Sequence, residues 1–210
     1  HEYFGHPYQI TLLESLVKFA IVGAGAIGSF LGAKLSSAGH EVSLIARGPN
    51  LDAMQTRGIK VISPEGNFKE KPKATANYDE IGIVDYVFLT VKAHSLIDVV
   101  SKLDPLLGPK TSIVSAQNGI PWWYFQNHGG PMEGTNLESL DPDGTISSTI
   151  SPERIIGCIV YPSVVTIDHG VVQHIEGNRF SLGELDGSTT DRCRNLASAI
   201  MKAGLRSPIR

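Results

Sequence analysis

Three glycines, Gly23, Gly25 and Gly28, have the spacing GxGxxG of a phosphate-binding turn. The first glycine of such a turn permits a tight bend after a strand, the second lets a pyrophosphate approach the backbone, and the third lets helix and strand pack closely. The N-terminus of the following helix presents unpaired N–H groups and the positive end of its dipole to the phosphates. We therefore predict a dinucleotide site in this turn. Its residues are Gly23, Ala24, Gly25, Ala26, Ile27 and Gly28.

Arg47 stands where the second predicted strand ends. NAD sites carry a carboxylate at this point, which accepts hydrogen bonds from the ribose hydroxyls. A carboxylate would repel a 2′-phosphate, for which a guanidinium is the matching partner. Glu41 lies at the start of the strand, too far from the crevice to bind the ribose. The positive charge predicts NADP(H) as the cofactor; the alternative is that Arg47 is a solvated loop charge.

Lys92 and Asn118 follow two further apolar runs, at 85–91 and 111–116. In an open α/β sheet the ligand crevice lies outside the carboxyl ends of the strands, so we expect both side chains to face it. A lysine suits an anionic or carbonyl-bearing substrate, and an asparagine can bond both a ribose and a substrate carboxylate. The alternative is that both are surface residues at strand ends.

Strands and helices that could position these residues alternate along the chain. Short apolar runs predict strands at 19–22, 41–46, 59–62, 85–91 and 111–116. Apolar positions at helical spacing predict helices at 27–38, 50–57, 96–103 and 193–203. The runs 155–167 and 171–175 flank Asp168, His169 and Gly170, which is typical of a hairpin. This order predicts an α/β fold, Rossmann-like and doubly wound, with a mainly parallel sheet and a C-terminal hairpin.

The composition is that of an ordinary globular protein: 210 residues, of which 41% are hydrophobic and 19% charged. A net charge of −3 gives no basic footprint for nucleic acid and no polybasic stripe for a membrane. Cys158 and Cys193 are too far apart in sequence for a CxxC motif and too few for a disulfide framework, which favours the reducing cytoplasm. Residues 1–17 have the pattern of neither a signal peptide nor a membrane span, and we interpret them as a leader or an added extension.

Four segments, taken in order, carry a resemblance to a known family. They are VGAGAIGSFLGAKLSSAGHEVSLIAR, FLTVKAHSLIDVV, AQNG and HGVVQHIEGNRFSLGE. In this order they resemble the ketopantoate reductase (2-dehydropantoate 2-reductase) family over residues 18–206, nearly the whole chain. The resemblance implies NADPH-dependent reduction of ketopantoate to pantoate, on the way to pantothenate and coenzyme A. It also implies cofactor contacts at 23–28, Arg47, Lys92 and Asn118, a substrate role for Lys92 and Asn118, and a further contact at Ser163 near the nicotinamide.

Family members carry a second, helical domain, and their catalytic lysine lies on its first helix. By this resemblance residues 18–206 form the NADP-binding domain, 207–210 begin a linker, and the general acid is expected beyond Arg210. Lys202 lies in the preceding helix and is not assigned the role. The resemblance implies contacts between subunits, and hence a homodimer, through the absent domain. The expected partner is a small 2-oxo acid, with no nucleic acid and no membrane.

A dense aromatic segment, PWWYF at 121–125, and a long loop at 128–153 depart from the family pattern. The aromatic side chains either line a substrate pocket or lid, or pack a short helix against the sheet. If they face the substrate, a 2-oxo acid bulkier than ketopantoate becomes plausible. Asp141 and Asp143 in the loop are expected to be solvated. Two other functions stay open: a related reductase of another 2-oxo acid, and a non-catalytic NADP-binding sensor.

Overall fold

A computed structural model of the chain describes residues 16–210, so the predicted leader at 1–17 falls almost wholly outside the described residues. The strands are β1 (Lys18–Val22), β2 (Glu41–Ile45), β3 (Ile59–Ile62), β4 (Phe68–Glu70), β5 (Lys73–Thr75), β6 (Val84–Leu89), β7 (Leu107–Ser115), β8 (Ile155–Val160), β9 (Ser163–Asp168), β10 (Val171–Glu176) and β11 (Phe180–Glu184). The α-helices are α1 (Ala26–Ser37), α2 (Gly48–Arg57), α3 (Leu96–Val100), α4 (Thr145–Thr149) and α5 (Asp191–Lys202).

The main sheet has seven strands in the order β11-β8-β7-β6-β1-β2-β5. All neighbouring pairs are parallel except β11 with β8. Its central strands are apolar except for the exposed Lys18 and Asp85 near their amino ends, because both faces of a parallel sheet are covered. The predicted α/β fold with a doubly wound, mainly parallel sheet is confirmed, and the glycine turn follows β1 at the centre of the sheet.

The predicted strand at 59–62 exists as β3, but it does not belong to the main sheet. It joins a second sheet in the order β4-β3-β10-β9, and the edge of the main sheet beyond β2 is formed by β5 instead. Ile59 and Val61 are buried while Lys60 is exposed, and this alternation is typical of a sheet with one face towards solvent.

The predicted hairpin at Asp168 to Gly170 forms, as β9 and β10, and it also lies in the second sheet. The single strand expected at 155–167 is two strands, because the chain leaves the main sheet at Tyr161 and Pro162. Proline has no N–H to donate to a ladder, so it commonly stands where a strand ends.

Helix α1 is buried on both sides, between the main sheet and the second sheet. Phe30 is fully buried and stacks on His174 of β10, with ring centroids 4.6 Å apart. The Cβ that Gly32 lacks would lie 3.1 Å from Leu44 of β2, so glycine lets the helix approach the main sheet closely. The helix is therefore apolar on more than one face, unlike a helix that packs on one side only. The helix predicted at 96–103 is shorter than expected, since only Leu96–Val100 is α-helical.

The aromatic segment packs on the main sheet, but as a series of turns rather than a helix. Trp122 is 4% exposed in the core, and the ring of Trp123 fills the space that a side chain at Gly157 of β8 would need. Tyr124 is 53% exposed. Of the four aromatic side chains, Trp122 and Trp123 therefore serve packing, Phe125 is half-buried, and only Tyr124 lies largely in solvent.

Asp141 is fully buried, which corrects the expectation that it is solvated. Its carboxylate accepts hydrogen bonds from the backbone N–H groups of Ile146 (2.6 Å) and Ser147 (3.0 Å) and from the Ser147 hydroxyl (2.6 Å). These donors lie at the start of α4, where N–H groups have no partner within the helix. Asp141 thus organises the long loop, whereas Asp143 is exposed as expected.

Residues 207–210, predicted as the start of a linker, lie beside β11. Leu182 N donates to Pro208 O (2.9 Å), and Arg210 N donates to Leu182 O (2.8 Å). Within residues 16–210 no helix is long and apolar enough to cross a membrane. In the same part of the chain, no three His, Cys, Asp or Glu side chains are grouped so as to hold a metal ion.

The loop should depend on the Asp141 carboxylate. We expect Asp141→Asn to lower the free energy of unfolding by about 2 kcal/mol, because an amide nitrogen then faces buried N–H donors. Asp143→Asn is the matched control, since Asp143 is exposed and asparagine tolerates its φ of 56°. Urea unfolding of both variants measures the difference; equal stabilities would contradict the structural role of Asp141.

Candidate functional site

The glycine turn lies at the carboxyl end of β1, and two of its glycines are required by packing. A Cβ at Gly28 would lie 2.1 Å from the Gly23 carbonyl oxygen, and a Cβ at Gly23 would lie 2.8 Å from the backbone nitrogen of Val91. Gly23 also has a φ of 110°, which other residues rarely adopt. At Gly25, by contrast, a Cβ would have nothing within 4 Å. The turn therefore packs tightly against the protein at Gly23 and Gly28, whereas Gly25 faces open space.

Thr90, just after β6, fixes the turn against the neighbouring strand. Its backbone N–H donates to Val22 O at 3.0 Å, and its Oγ1 lies 2.7 Å from Gly23 O. A Cβ at Gly28 would also lie 2.7 Å from this hydroxyl oxygen. The sequence analysis missed Thr90, although a hydroxyl residue at the end of an otherwise apolar strand could have drawn attention to it.

Arg47 is exposed and stands immediately before α2, as the N-cap residue of that helix. Burial raises the pKa of Tyr78, and the positive charge of Arg47 opposes this rise. Arg47 belongs to none of the ion pairs formed within residues 16–210. Its charge is therefore not neutralised by a carboxylate in the described part of the chain.

Asn50, in the first turn of α2, links the glycine turn to the second sheet. Its Nδ2 donates to Ala24 O at 2.7 Å, and its Oδ1 accepts from Gly170 N at 2.9 Å. The hydroxyl of Ser29 also donates to Ala24 O, at 3.1 Å. The sequence analysis missed Asn50, and only its place three residues after Arg47 could have marked it.

Lys92 is exposed and lies three residues beyond the end of β6, where it begins a short 3₁₀ turn at 93–95. The loop that carries it is held from the neighbouring strand end, since Gln117 Nε2 donates to Val91 O at 2.6 Å. His94, two residues further on, is also exposed.

The Asn118 side chain bridges the carboxyl ends of β7 and β8. Its Nδ2 donates to Val160 O at 2.8 Å, and its Oδ1 accepts from Val160 N at 3.0 Å. These two bonds fix which end of the amide is oxygen. A carboxamide has two N–H donors and two lone pairs, so one of each is still free to contact a ligand.

Ser163 opens β9 beyond β8 and is half-buried, opposite Glu176. Close by in the chain, Tyr161 N donates to Arg179 O at 3.0 Å, and the Arg179 guanidinium lies 3.7 Å from the centre of the Tyr161 ring. Such stacking holds a guanidinium in one plane and leaves its N–H groups available at the edges. Arg179 is a cation near this end of the crevice that the sequence analysis did not single out.

Glu184 is paired with Arg192 away from the crevice. It lies opposite Ile156 at the amino end of β8, four residues or roughly 13 Å along the strand from Val160. Arg192 Nε donates to its Oε1 at 2.9 Å. Burial alone would raise the pKa of Glu184, but hydrogen bonds from Arg192 and Thr190 outweigh burial and lower it. Glu184 therefore has a structural role.

The predicted residues thus lie along one edge of the main sheet, formed by the loops after β1, β2, β6, β7 and β8. The β2 end carries Arg47, the centre carries the open turn at Gly25, and the β6 to β8 side carries Lys92, Asn118 and Ser163. An edge of this kind can hold an extended anionic ligand, with its phosphates at the centre.

Known proteins resemble this chain in sequence and in fold. The family model for ketopantoate reductase PanE/ApbA matches residues 19–187. A curated 2-dehydropantoate 2-reductase of Mesorhizobium japonicum is 47% identical over 195 residues, which are 92% of this chain and 60% of the relative.

Solved structures show the same likeness. A candidate ketopantoate reductase from Ralstonia solanacearum has a TM-score of 0.88 at 37% identity, over 93% of this chain and 60% of that chain. The 2-dehydropantoate 2-reductase from Geobacter metallireducens has a TM-score of 0.76 at 27% identity, over 92% of this chain and 58% of that chain. The chain spans about 60% of the length of the curated relative that it matches. With its matched family model, its glycine turn and its sheet order, the chain belongs to the ketopantoate reductase family.

Proposed function

We propose that this chain is the cofactor-binding part of an NADPH-dependent reductase that converts ketopantoate to pantoate. The observation that carries the proposal is the geometry of the glycine turn. Neighbouring atoms leave no room for a side chain at Gly23 and Gly28, whereas Gly25 faces open space that a ligand could occupy. Family membership supports ketopantoate as the substrate. In this proposal the enzyme acts in the cytoplasm, in the synthesis of pantothenate and coenzyme A.

The residues of the turn fit a pyrophosphate. Gly25 leaves room for it, and α1 begins at Ala26, so its first N–H groups point towards that room without partners within the helix. The cofactor, when bound, supplies the hydride. The protein holds the two ends of that cofactor on either side of the turn and keeps them oriented.

Arg47 is the residue that we assign to the 2′-phosphate of NADPH. It lies at the end of β2, the position that selects between ribose hydroxyls and a phosphorylated ribose in doubly wound folds. It is exposed and unpaired with any carboxylate within residues 16–210, so a phosphate would not have to displace an existing partner.

We assign the other half of the crevice to the nicotinamide and the substrate. Lys92 and Arg179 provide positive charge for a 2-oxo acid carboxylate, and Asn118 keeps one donor and one acceptor for the ribose or the substrate. Ser163 is assigned to the nicotinamide end. Positive groups on this side also stabilise the negative charge that develops on the carbonyl oxygen during reduction.

The proton for that oxygen is assigned to a lysine outside this chain, in the part of such proteins that the chain does not span. Lys202 is at the end of α5 and is not proposed for the role. The complete protein is therefore needed for turnover, whereas cofactor binding is a property to be measured on this chain.

Two alternatives have different support. A reductase of a bulkier 2-oxo acid would use the aromatic segment, but Trp122 is buried, so only the exposed Tyr124 supports that function. A non-catalytic NADP-binding sensor would need the turn and Arg47 but not Lys92 or Asn118. The position of these two residues at the crevice edge favours an enzyme.

The reaction itself is tested with protein expressed from the complete gene. We expect NADPH to be oxidised on addition of ketopantoate, with a higher kcat/KM than for any bulkier 2-oxo acid in a panel, because Trp122 is buried and the Trp123 ring packs against Gly157. Absorbance at the reduced nicotinamide band follows the reaction. Faster turnover of a bulkier acid would support the first alternative, and tight NADPH binding without any turnover would support the sensor.

Arg47→Ala tests the cofactor assignment. We expect the ratio of the dissociation constant for NADH to that for NADPH to fall at least tenfold, which is about 1.4 kcal/mol, because only NADPH presents the 2′-phosphate. Dissociation constants for both cofactors, measured by fluorescence titration, give the ratio. Arg57→Ala is the control, since Arg57 ends the same helix and donates to His169 O. An equal loss of affinity for both cofactors would refute the role of Arg47.

A further inference from the structure

We propose that Asn50 is a positioning residue that sets the orientation of the Ala24–Gly25 peptide and so prepares the turn to bind the cofactor's pyrophosphate. The proposal rests on the proposed function in one respect, the identity of the ligand. The orientation of the peptide can be tested without it.

The Asn50 carboxamide has only one possible orientation. The backbone N–H of Gly170 is a donor and lies 2.9 Å from one end of the amide, so that end is the oxygen. The nitrogen must then face the Ala24 carbonyl oxygen, 2.7 Å away. Gly170 itself is fixed in the hairpin turn, since its carbonyl accepts from Lys60 N at 2.8 Å.

The Ala24 carbonyl is consequently held from two sides, by Asn50 Nδ2 and, at 3.1 Å, by the Ser29 hydroxyl. In a planar trans peptide the carbonyl and the following N–H point in opposite directions. Holding the carbonyl towards α2 and Ser29 therefore directs the Gly25 N–H away from them. Within residues 16–210 this N–H donates no hydrogen bond, and Gly25 has open space at its Cβ position.

An unpaired N–H in fixed orientation at the start of a helix is the group that a phosphate oxygen binds. Without Asn50 the peptide can rotate, and part of the binding free energy would be used to fix it again. The loss should affect NADPH and NADH equally, because both carry the pyrophosphate. This separates Asn50 from Arg47, whose loss should change the ratio between the two cofactors.

Gln55 offers a matched control on the same helix. Its Nε2 donates to Ala74 O at 2.9 Å, so Gln55→Ala also removes one bond from a carboxamide to a backbone carbonyl, but at β5 and not at the turn. A merely structural role for Asn50 would make the two alanine variants alike. Ser29→Ala removes the other bond to Ala24 O and provides a second, milder variant should Asn50→Ala fold poorly.

The experiment compares the wild-type chain with Asn50→Ala, Ser29→Ala and Gln55→Ala. We expect Asn50→Ala to weaken NADPH and NADH binding by about the same factor, on the order of tenfold. Ser29→Ala should weaken both less, and Gln55→Ala should leave both within twofold of wild type. Fluorescence titration gives the dissociation constants, and thermal unfolding shows whether the variants are equally folded. Unchanged affinity in Asn50→Ala, or an equal loss in Gln55→Ala, would overturn the proposal.

A second readout needs no cofactor. Ser29 N donates to Gly25 O at 2.9 Å, so its amide exchange with solvent reports whether the turn is held in place. We expect exchange of this amide, measured by NMR, to be several-fold faster in Asn50→Ala than in Gln55→Ala. If wild type failed to bind NADPH, the proposed function would fail. The exchange rates would still decide the role of Asn50, since equal rates in the two variants would refute it.

Discussion

The contact between Gly28 and the Gly23 carbonyl determines how closely α1 approaches the end of β1. At 2.1 Å from that oxygen to the position of a Cβ, no side chain of any size fits at Gly28, and the Thr90 hydroxyl closes the same space from the β6 side. This close approach puts the N-terminus of α1 at the centre of the crevice. It also leaves the outer side of α1 to be covered, which the second sheet does. The two sheets thus pack on opposite sides of α1. The position of this helix is possible only because residues 23 and 28 are glycines.

A row of polar side chains ties each loop of the crevice to its neighbour. Asn50 joins the β2 side to the turn, Thr90 joins the turn to β6, Gln117 joins β7 to the loop after β6, and Asn118 joins β7 to β8. Each bond ends on a backbone oxygen near a strand end, where the ladder stops, and the Ala24 oxygen accepts a second bond from Ser29. The loops that would contact a ligand are therefore held before it binds, which lowers the entropy lost on binding.

The sequence predicts those parts of the fold and site that depend on local spacing. The glycine turn, the unit formed by β1, α1 and β2, and the apolar central strands each lie within a short segment. All of them appear in the structure. The sequence could not predict that β3 joins the second sheet, because its partner β10 lies more than a hundred residues later. It also could not predict β5, because that strand is only the three residues KAT. The burial of Asp141 was not predicted because its bonds reach Ile146 and Ser147, further along than the usual spacing of a capping residue.

The same limit explains the residues of the site that were missed. Asn50, Thr90 and Gln117 are ordinary polar residues, and their bonds at the crevice span 26 to 120 positions of the chain. The groups proposed to contact the phosphates all lie between residues 23 and 47, yet Asn50, which we propose orients the turn, is itself oriented by Gly170 in the hairpin. The unit formed by β1, α1 and β2 therefore contains the groups that would contact the phosphates. It does not contain all of the residues that hold those groups in place. The second sheet both buries α1 and contributes to the geometry of the turn.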